Sequence, residues 1–241
     1  MEKIVKPYTV LTGLYDNLME YVDYEGWSEY ILDIIDEYEI DTNSVLELAA
    51  GNYKLYQFLR GNFPLHIVSD LSLNLVKTFH ERGDKSVCCD MKSLPFNTKF
   101  EFIYCTFDSI NYLLTEEELF FAFNEVSKVL KNDGVFTFDA SLENNSINNV
   151  KELNRKGKYL NYDYSQISEY NVEDKIHTNK FIISNDNENY IEIHRQRVFH
   201  FVDYFRILDD AGLRVIDCFD TFTFDNASPD SERAQFIVGK I

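Results

Sequence analysis

The chain has 241 residues, 41 acidic against 23 basic, for a formal net charge of −18. Its 45% apolar content supports one sizeable core and excludes a disordered chain. No apolar run approaches the ~20 residues that span a bilayer, and so acidic a surface repels phosphate backbones. Neither a membrane nor a nucleic acid is therefore expected as a partner. The first residues, MEKIVKPYTV, lack the apolar segment of a secretory signal. Cys88, Cys89, Cys105 and Cys218 form no CxxC, so reduced thiols and a cytoplasmic location are expected. His66, His80, His177, His194 and His200 show no metal-ligand spacing, and no metal is expected.

Residues 14–39 carry a helical pattern rich in aromatics, with Trp27, Ile31, Ile34 and Tyr38 on one face. From 44 to 140, apolar runs alternate with helical stretches, the pattern of βα units around a parallel sheet. The predicted strands are Ser44–Ala50, Leu65–Ser69, Ser86–Cys89, Phe100–Thr106 and Gly134–Asp139. Helices are predicted over 53–60, 72–82 and 115–131, the last opening on a capping box of Thr115 and Glu118. Residues 141–160, polar and Asn-rich, read as a loop. Lys180–Ser184 and Tyr190–Phe199 flank the turn-forming NDNEN, which predicts an antiparallel hairpin. Phe201–Ala211 reads as a helix stopped by Gly212, and Leu213–Phe219 and Ala234–Lys240 as two further strands. This organisation is an α/β sheet with an N-terminal helical cover (1–140 with 201–241) and an insertion over 141–200.

In open α/β sheets, ligands bind beyond the carboxyl ends of the strands, where strand order reverses. The first strand ends in Glu47-Leu48-Ala49-Ala50-Gly51-Asn52-Tyr53, a small-residue turn that lets a ligand approach the backbone. Asp70 follows the second strand, placed to accept hydrogen bonds from both hydroxyls of a ribose. Asp90 and Met91 follow the third, offering an acceptor and an apolar flank to an adenine. Together these favour an adenosine-containing cofactor. A dinucleotide demands GxGxxG against its pyrophosphate, and only Gly51 is present, which favours S-adenosylmethionine over a nicotinamide cofactor.

These segments resemble a class I S-adenosylmethionine-dependent methyltransferase of the small-molecule, sugar N-methyltransferase-like type. The matching stretches are VLELAAGNYKL, VSDLS, DMKSLPF, FEFIYCTFDSINYLL and VLKNDGVFTFDAS, with LDDAGLRV and AQFIVGK near the end. YDNLM…YEGWSEYI and HRQRVF also resemble these enzymes. The resemblance implies a Rossmann-like, doubly wound seven-stranded sheet with an antiparallel last strand, plus an antiparallel β lid over 141–200. It implies S-adenosylmethionine as cofactor and a small molecule, by amine or hydroxyl, as acceptor.

Carried onto matching positions, Glu47, Ala49 and Gly51 would line the methionine end of the cofactor, and Thr106 would lie beneath it. Asp70 would bind the ribose, Leu71 would lie beside the adenine, and Asp90 and Met91 would hold it. Tyr15 and Trp27 would close the pocket, and Tyr162, Tyr164, His194 and Arg197 would face the acceptor from the lid. Should the reaction need a base, His194 is the first candidate and His200 the second. Tyr53 stands where the family has glycine: it either turns outward or crowds the cofactor's carboxylate. Crowding would make the chain a non-catalytic binding protein on a degenerate fold.

Overall fold

The computed structural model describes residues 2–185 and 188–241. The chain opens with strand β1 (Glu2–Val5) and helices α1 (Thr12–Leu18) and α2 (Tyr24–Glu37). The helical pattern expected over 14–39 is thus two helices, because Asp23 starts a new one, its side chain accepting the Gly26 N–H at 2.8 Å. There follow β2 (Val45–Leu48), α3 (Lys54–Leu59), β3 (His66–Asp70), α4 (Leu73–Glu81), β4 (Ser86–Cys88) and β5 (Phe100–Cys105). A 3-10 turn over Ser109–Tyr112 leads to α5 (Glu116–Val129) and β6 (Leu130–Ser141). Thr115 caps α5 by accepting the Glu118 N–H at 3.1 Å, while the Glu118 carboxylate takes the Leu114 N–H at 2.8 Å.

The stretch expected as a loop over 141–160 holds helix α6 (Glu143–Glu152) and strand β7 (Arg155–Tyr159). Asparagine ranks low as a helix former, and tertiary partners override that preference here. Asn144 donates to the Asp230 carbonyl and Asn148 to Glu232, each at 2.7 Å, and Glu143 pairs with Lys175 at 2.6 Å. Next come β8 (Tyr162–Asn171), β9 (Ile176–Ser184) and β10 (Asn189–Arg197). The last two form the expected hairpin, with Ser184 opposite Asn189. Residues 186 and 187 of its predicted turn lie outside the described residues. Helix α7 (Phe201–Asp210) and strands β11 (Leu213–Asp220) and β12 (Arg233–Lys240) complete the chain.

The main sheet runs β4-β3-β2-β5-β6-β12-β11. From β4 to β6 all pairs are parallel, and β12 is antiparallel to both its neighbours. Its central strands β2 and β5 are buried at every position, as strands covered on both faces must be. One face packs Leu119, Phe123 and Tyr204 of α5 and α7 against Phe138 and Phe236. The other packs Trp27, Ile31 and Ile34 of α2 against Phe102 and Tyr104. The fold is α/β and Rossmann-like. The second sheet, β1-β10-β9-β8-β7, draws its edge strand from the start of the chain, paired in parallel from Glu2↔Asn189 to Val5↔Glu192. No helix among the described residues is long and apolar enough to cross a membrane.

Candidate active site

Strand order reverses at β2: the chain proceeds outward through β3 and β4, then returns to β5 on the other side. A crevice opens there beyond the strand ends. In the turn after β2, Ala49, Gly51 and Tyr53 all have left-handed backbone (φ +53°, +60° and +74°). Gly51 adopts this freely; the other two are held by their surroundings at about 1 kcal/mol or more each. The Ala50 N–H donates to the Ser69 carbonyl and the Gly51 N–H to Asp70 Oδ2, both at 2.9 Å. Asp70 Oδ1 accepts the Ser72 N–H at 2.7 Å.

These turns frame a cavity of about 690 Å³. Of the residues singled out from sequence, Tyr15, Ala49, Gly51, Asp70, Leu71, Asp90 and Met91 line it. Burial pushes the Asp70 carboxyl upward, against the pull of the Ser72 and Gly51 N–H groups. Asp90 accepts the Lys92 N–H at 2.9 Å, and the Lys92 ammonium lies 3.8 Å from it while pairing with Glu118 at 2.7 Å. The Leu71 N–H also acts on the Asp70 carboxylate, whose roughly four acceptor sites still leave room for a further donor. Two carboxylates on adjacent strand ends, an apolar flank at Met91 and a close backbone turn fit the adenosine and amino-acid ends of S-adenosylmethionine.

Other residues singled out from sequence lie off the cavity wall. Trp27 is buried behind it, its ring 4.9 Å from that of Phe107, which does line the cavity. Glu47 shares the face of β2 with Val45 and is buried, accepting the Tyr104 hydroxyl at 2.7 Å. Thr106 is buried, its carbonyl accepting the Ser109 hydroxyl at 2.8 Å. Tyr162 and Tyr164 pack on the cluster of Leu11, Leu14 and Leu18. Arg197 presents its carbonyl to Asn111 at 2.7 Å and its guanidinium to the Phe199 ring. His194 is buried and meets the cavity through the Tyr112 hydroxyl at 3.0 Å, whereas His200 is exposed at the start of α7. Among the described residues, no group of three or more His, Cys, Asp or Glu is placed to hold a metal ion.

Tyr53 turns away from the cavity. Its ring packs 4.8 Å from Phe79 and 5.1 Å from Tyr56, its hydroxyl donates to Asp84 at 2.5 Å, and the Arg82 guanidinium covers it. The wall also includes residues that sequence reasoning missed: Tyr8, Tyr24, Asn52, Phe107 and Tyr112. Tyr24, Phe107 and Tyr112 sat in segments singled out for other reasons, and their aromatic density was the available signal. Tyr8 had none, because only the pairing of β1 with β10 brings it there.

Residues 46–138 match the methyltransferase domain family. A protein of Geobacillus sp. (strain WCH70), provisionally named a methyltransferase, is 24% identical over 94% of this chain and 96% of its own. The crystal structure of an S-adenosylmethionine-dependent methyltransferase from Clostridium acetobutylicum ATCC 824 superposes with a TM-score of 0.78. It is 26% identical and covers 97% of this chain and 98% of its own. The sugar N-methyltransferase KedS8 from Streptoalloteichus sp ATCC 53650 shares the fold, with a TM-score of 0.72, 16% identity and 92% coverage of both chains. The matched domain spans the strand ends that build the cavity, so residues 46–138 form a methyltransferase domain, and the chain as a whole is similar in sequence and fold to S-adenosylmethionine-dependent methyltransferases.

Proposed function

We propose that the protein transfers a methyl group from S-adenosylmethionine to the amino group of a small molecule, an amino sugar being the favoured class. The observation that carries this reading is the cavity at the strand switch point, with Asp70 and Asp90 on its wall. The sugar N-methyltransferase with the same fold supports the acceptor class, and the net charge of −18 disfavours polyanionic acceptors.

The cofactor, when bound, supplies a methyl carbon already activated by its sulfonium. Asp70 accepts the ribose hydroxyls, Asp90 and Met91 hold the adenine with Leu71 beside it, and the turn at Ala49–Gly51 receives the methionine end. Glu47 and Thr106 act on that end from behind, by shaping the strand ends. Tyr15 closes the cavity over the acceptor, with Trp27 behind Phe107. The remaining task is alignment, which can lower a barrier by as much as about 7–11 kcal/mol. The insertion over 141–200 covers the acceptor side, and Tyr162, Tyr164 and Arg197 shape it from behind. A cytoplasmic location with reduced thiols belongs to the same reading.

Titration calorimetry with S-adenosylhomocysteine, followed by label transfer from methyl-labelled cofactor to a panel of amino sugars and their hydroxyl analogues, tests the reading. Binding with label on amines supports it. No binding at millimolar ligand overturns it, and label confined to hydroxyl acceptors overturns the acceptor class.

A further inference from the structure

Four buried or half-buried side chains, from three separate parts of the chain, form one unbranched line. The Tyr8 and Tyr112 hydroxyls, both on the cavity wall, are 2.9 Å apart. Tyr112 contacts His194 Nδ1 at 3.0 Å, and His194 Nε2 faces Glu192 Oε2 at 3.3 Å. The other Glu192 oxygen accepts the N–H groups of Leu11, at 2.8 Å, and Val10, so the carboxylate cannot rotate away. Tyr8 itself has left-handed backbone (φ +59°), held by that anchorage and by its ring edge-on to His194 at 4.8 Å.

The polarity of this line follows from its end. Both Glu192 oxygens face donors, so the carboxylate accepts from His194 and imidazole Nε2 carries the proton. In the neutral imidazole Nδ1 is then an acceptor and receives the Tyr112 hydroxyl proton; the Tyr112 oxygen in turn receives that of Tyr8. The Tyr8 oxygen, last in line, is left with its lone pairs for a donor from the cavity.

We propose that Tyr8, Tyr112, His194 and Glu192 form a one-way proton relay that withdraws a proton from a protonated amine on the acceptor. The inference rests on the methyltransferase reading above. An alkylammonium has no lone pair, so its nitrogen must give up a proton to a nearby acceptor before it can attack. The R–NH₃⁺ proton passes to Tyr8 as Tyr8 passes its own to Tyr112 and Tyr112 its own to His194. The products are R–NH₂ and an imidazolium beside Glu192. The freed nitrogen lone pair then forms the C–N bond as the S–CH₃ bond breaks, its electron pair returning to sulfur. R–NH₂⁺–CH₃ and a neutral thioether remain. Glu192 suits this role: burial raises its carboxyl, but the hydrogen bonds from His194, Val10 and Leu11 outweigh burial and hold it below the usual range. Burial holds both tyrosines above theirs, so they pass protons as neutral phenols.

The test is nitrogen-15 NMR of the full-length, histidine-labelled protein with S-adenosylhomocysteine bound, its affinity measured on the same preparation. The His194 signals are those altered by Tyr112→Phe, a change that keeps the ring and removes the relay hydroxyl. The expected result is a protonated, pyrrole-like Nε2 and an unprotonated, pyridine-like Nδ1. Tyr112→Phe should move the Nδ1 signal and leave Nε2 nearly in place. A protonated Nδ1 reverses the line and overturns the relay, and so does a Tyr112→Phe spectrum identical to the parent. Failure to bind S-adenosylhomocysteine overturns the methyltransferase reading instead, whichever tautomer is seen.

Discussion

The Gly51 N–H donates to Asp70 Oδ2 at 2.9 Å, so the carboxylate that closes β3 also holds the turn that closes β2. A ligand on Asp70 is therefore felt by both strand ends. Asp70→Asn keeps the shape and one oxygen but removes the charge. It should weaken S-adenosylhomocysteine binding by about 1.5–3 kcal/mol, the range for a hydrogen bond to a charged acceptor. Asp70→Ala should also lower stability by about 1–3 kcal/mol, because the Gly51 and Ser72 N–H groups lose their acceptor. Calorimetry and urea unfolding measure the two effects; unchanged affinity in Asp70→Asn removes the ribose role.

Glu47 accepts the Tyr104 hydroxyl at 2.7 Å, and that hydroxyl meets His66 Nε2 at 2.9 Å. Burial pushes the Glu47 carboxyl up to about 8 and the His66 imidazole down to about 3. Between pH 6.5 and 8 the unfolded chain has an ionised Glu47 and a largely neutral His66, while the folded chain keeps Glu47 protonated. Folding then takes up a proton, and stability falls as pH rises, by about 1.4 kcal/mol per unit at its steepest. Below pH 6.5 His66 acts oppositely, since the unfolded imidazole gains a proton the folded one refuses. Glu47→Gln should flatten the slope between pH 6.5 and 8 and unmask the His66 loss below pH 6.5, which Glu47 largely offsets in the parent down to about pH 4.5. Urea midpoints across pH 5–9 check this; an unchanged slope places the titrating group elsewhere.

Tyr53→Gly would restore the small residue usual at this turn. It relieves the left-handed strain of Tyr53 but empties the space between Phe79 and Tyr56 and leaves Asp84 without its 2.5 Å donor. The net expectation is a loss of about 2–4 kcal/mol of stability. S-adenosylhomocysteine affinity should stay within about twofold, within the ~0.5 kcal/mol typical of uncoupled sites. A large gain in affinity would instead show that Tyr53 crowds the site and revive the degenerate-fold alternative.

The sheet was legible from sequence because its strands are short apolar runs bounded by turns, and the cavity carboxylates because they follow those runs directly. Asp70 and Asp90 needed only strand order to be placed. Orientation was harder: the buried Glu47 carboxyl faces the Tyr104 hydroxyl and not the cavity wall, and Tyr53 leaves the turn in the left-handed region, which no side-chain pattern encodes. Helix α6 escaped because its asparagines find partners about 85 residues away, at Asp230 and Glu232. Tyr8 escaped because a four-residue edge strand borrowed by another sheet has no local signature.

Arg233 binds two carboxylates at once, Asp139 through Nη1 and Asp108 through Nη2 at 2.8 Å. Asp139 is fully buried, and burial raises it to about 6 despite Arg233 and the 2.8 Å N–H bond from Asp108. This pair secures the turn after β5, where Phe107 and Asp108 both take left-handed backbone (φ +61° and +48°) and Phe107 reaches the cavity. Removing the cation strands a buried charge, so Arg233→Met should cost about 3–5 kcal/mol at pH 7. The loss should shrink at pH 5, because Asp139 in the variant keeps its proton when folded, and a raised carboxyl favours the folded state most at low pH. Adding Asp139→Asn removes the stranded charge and should recover most of the stability. Urea unfolding of the two single variants and the double variant measures this as a cycle. Strict additivity would mean that the two side chains act independently and that the turn is held by its backbone alone.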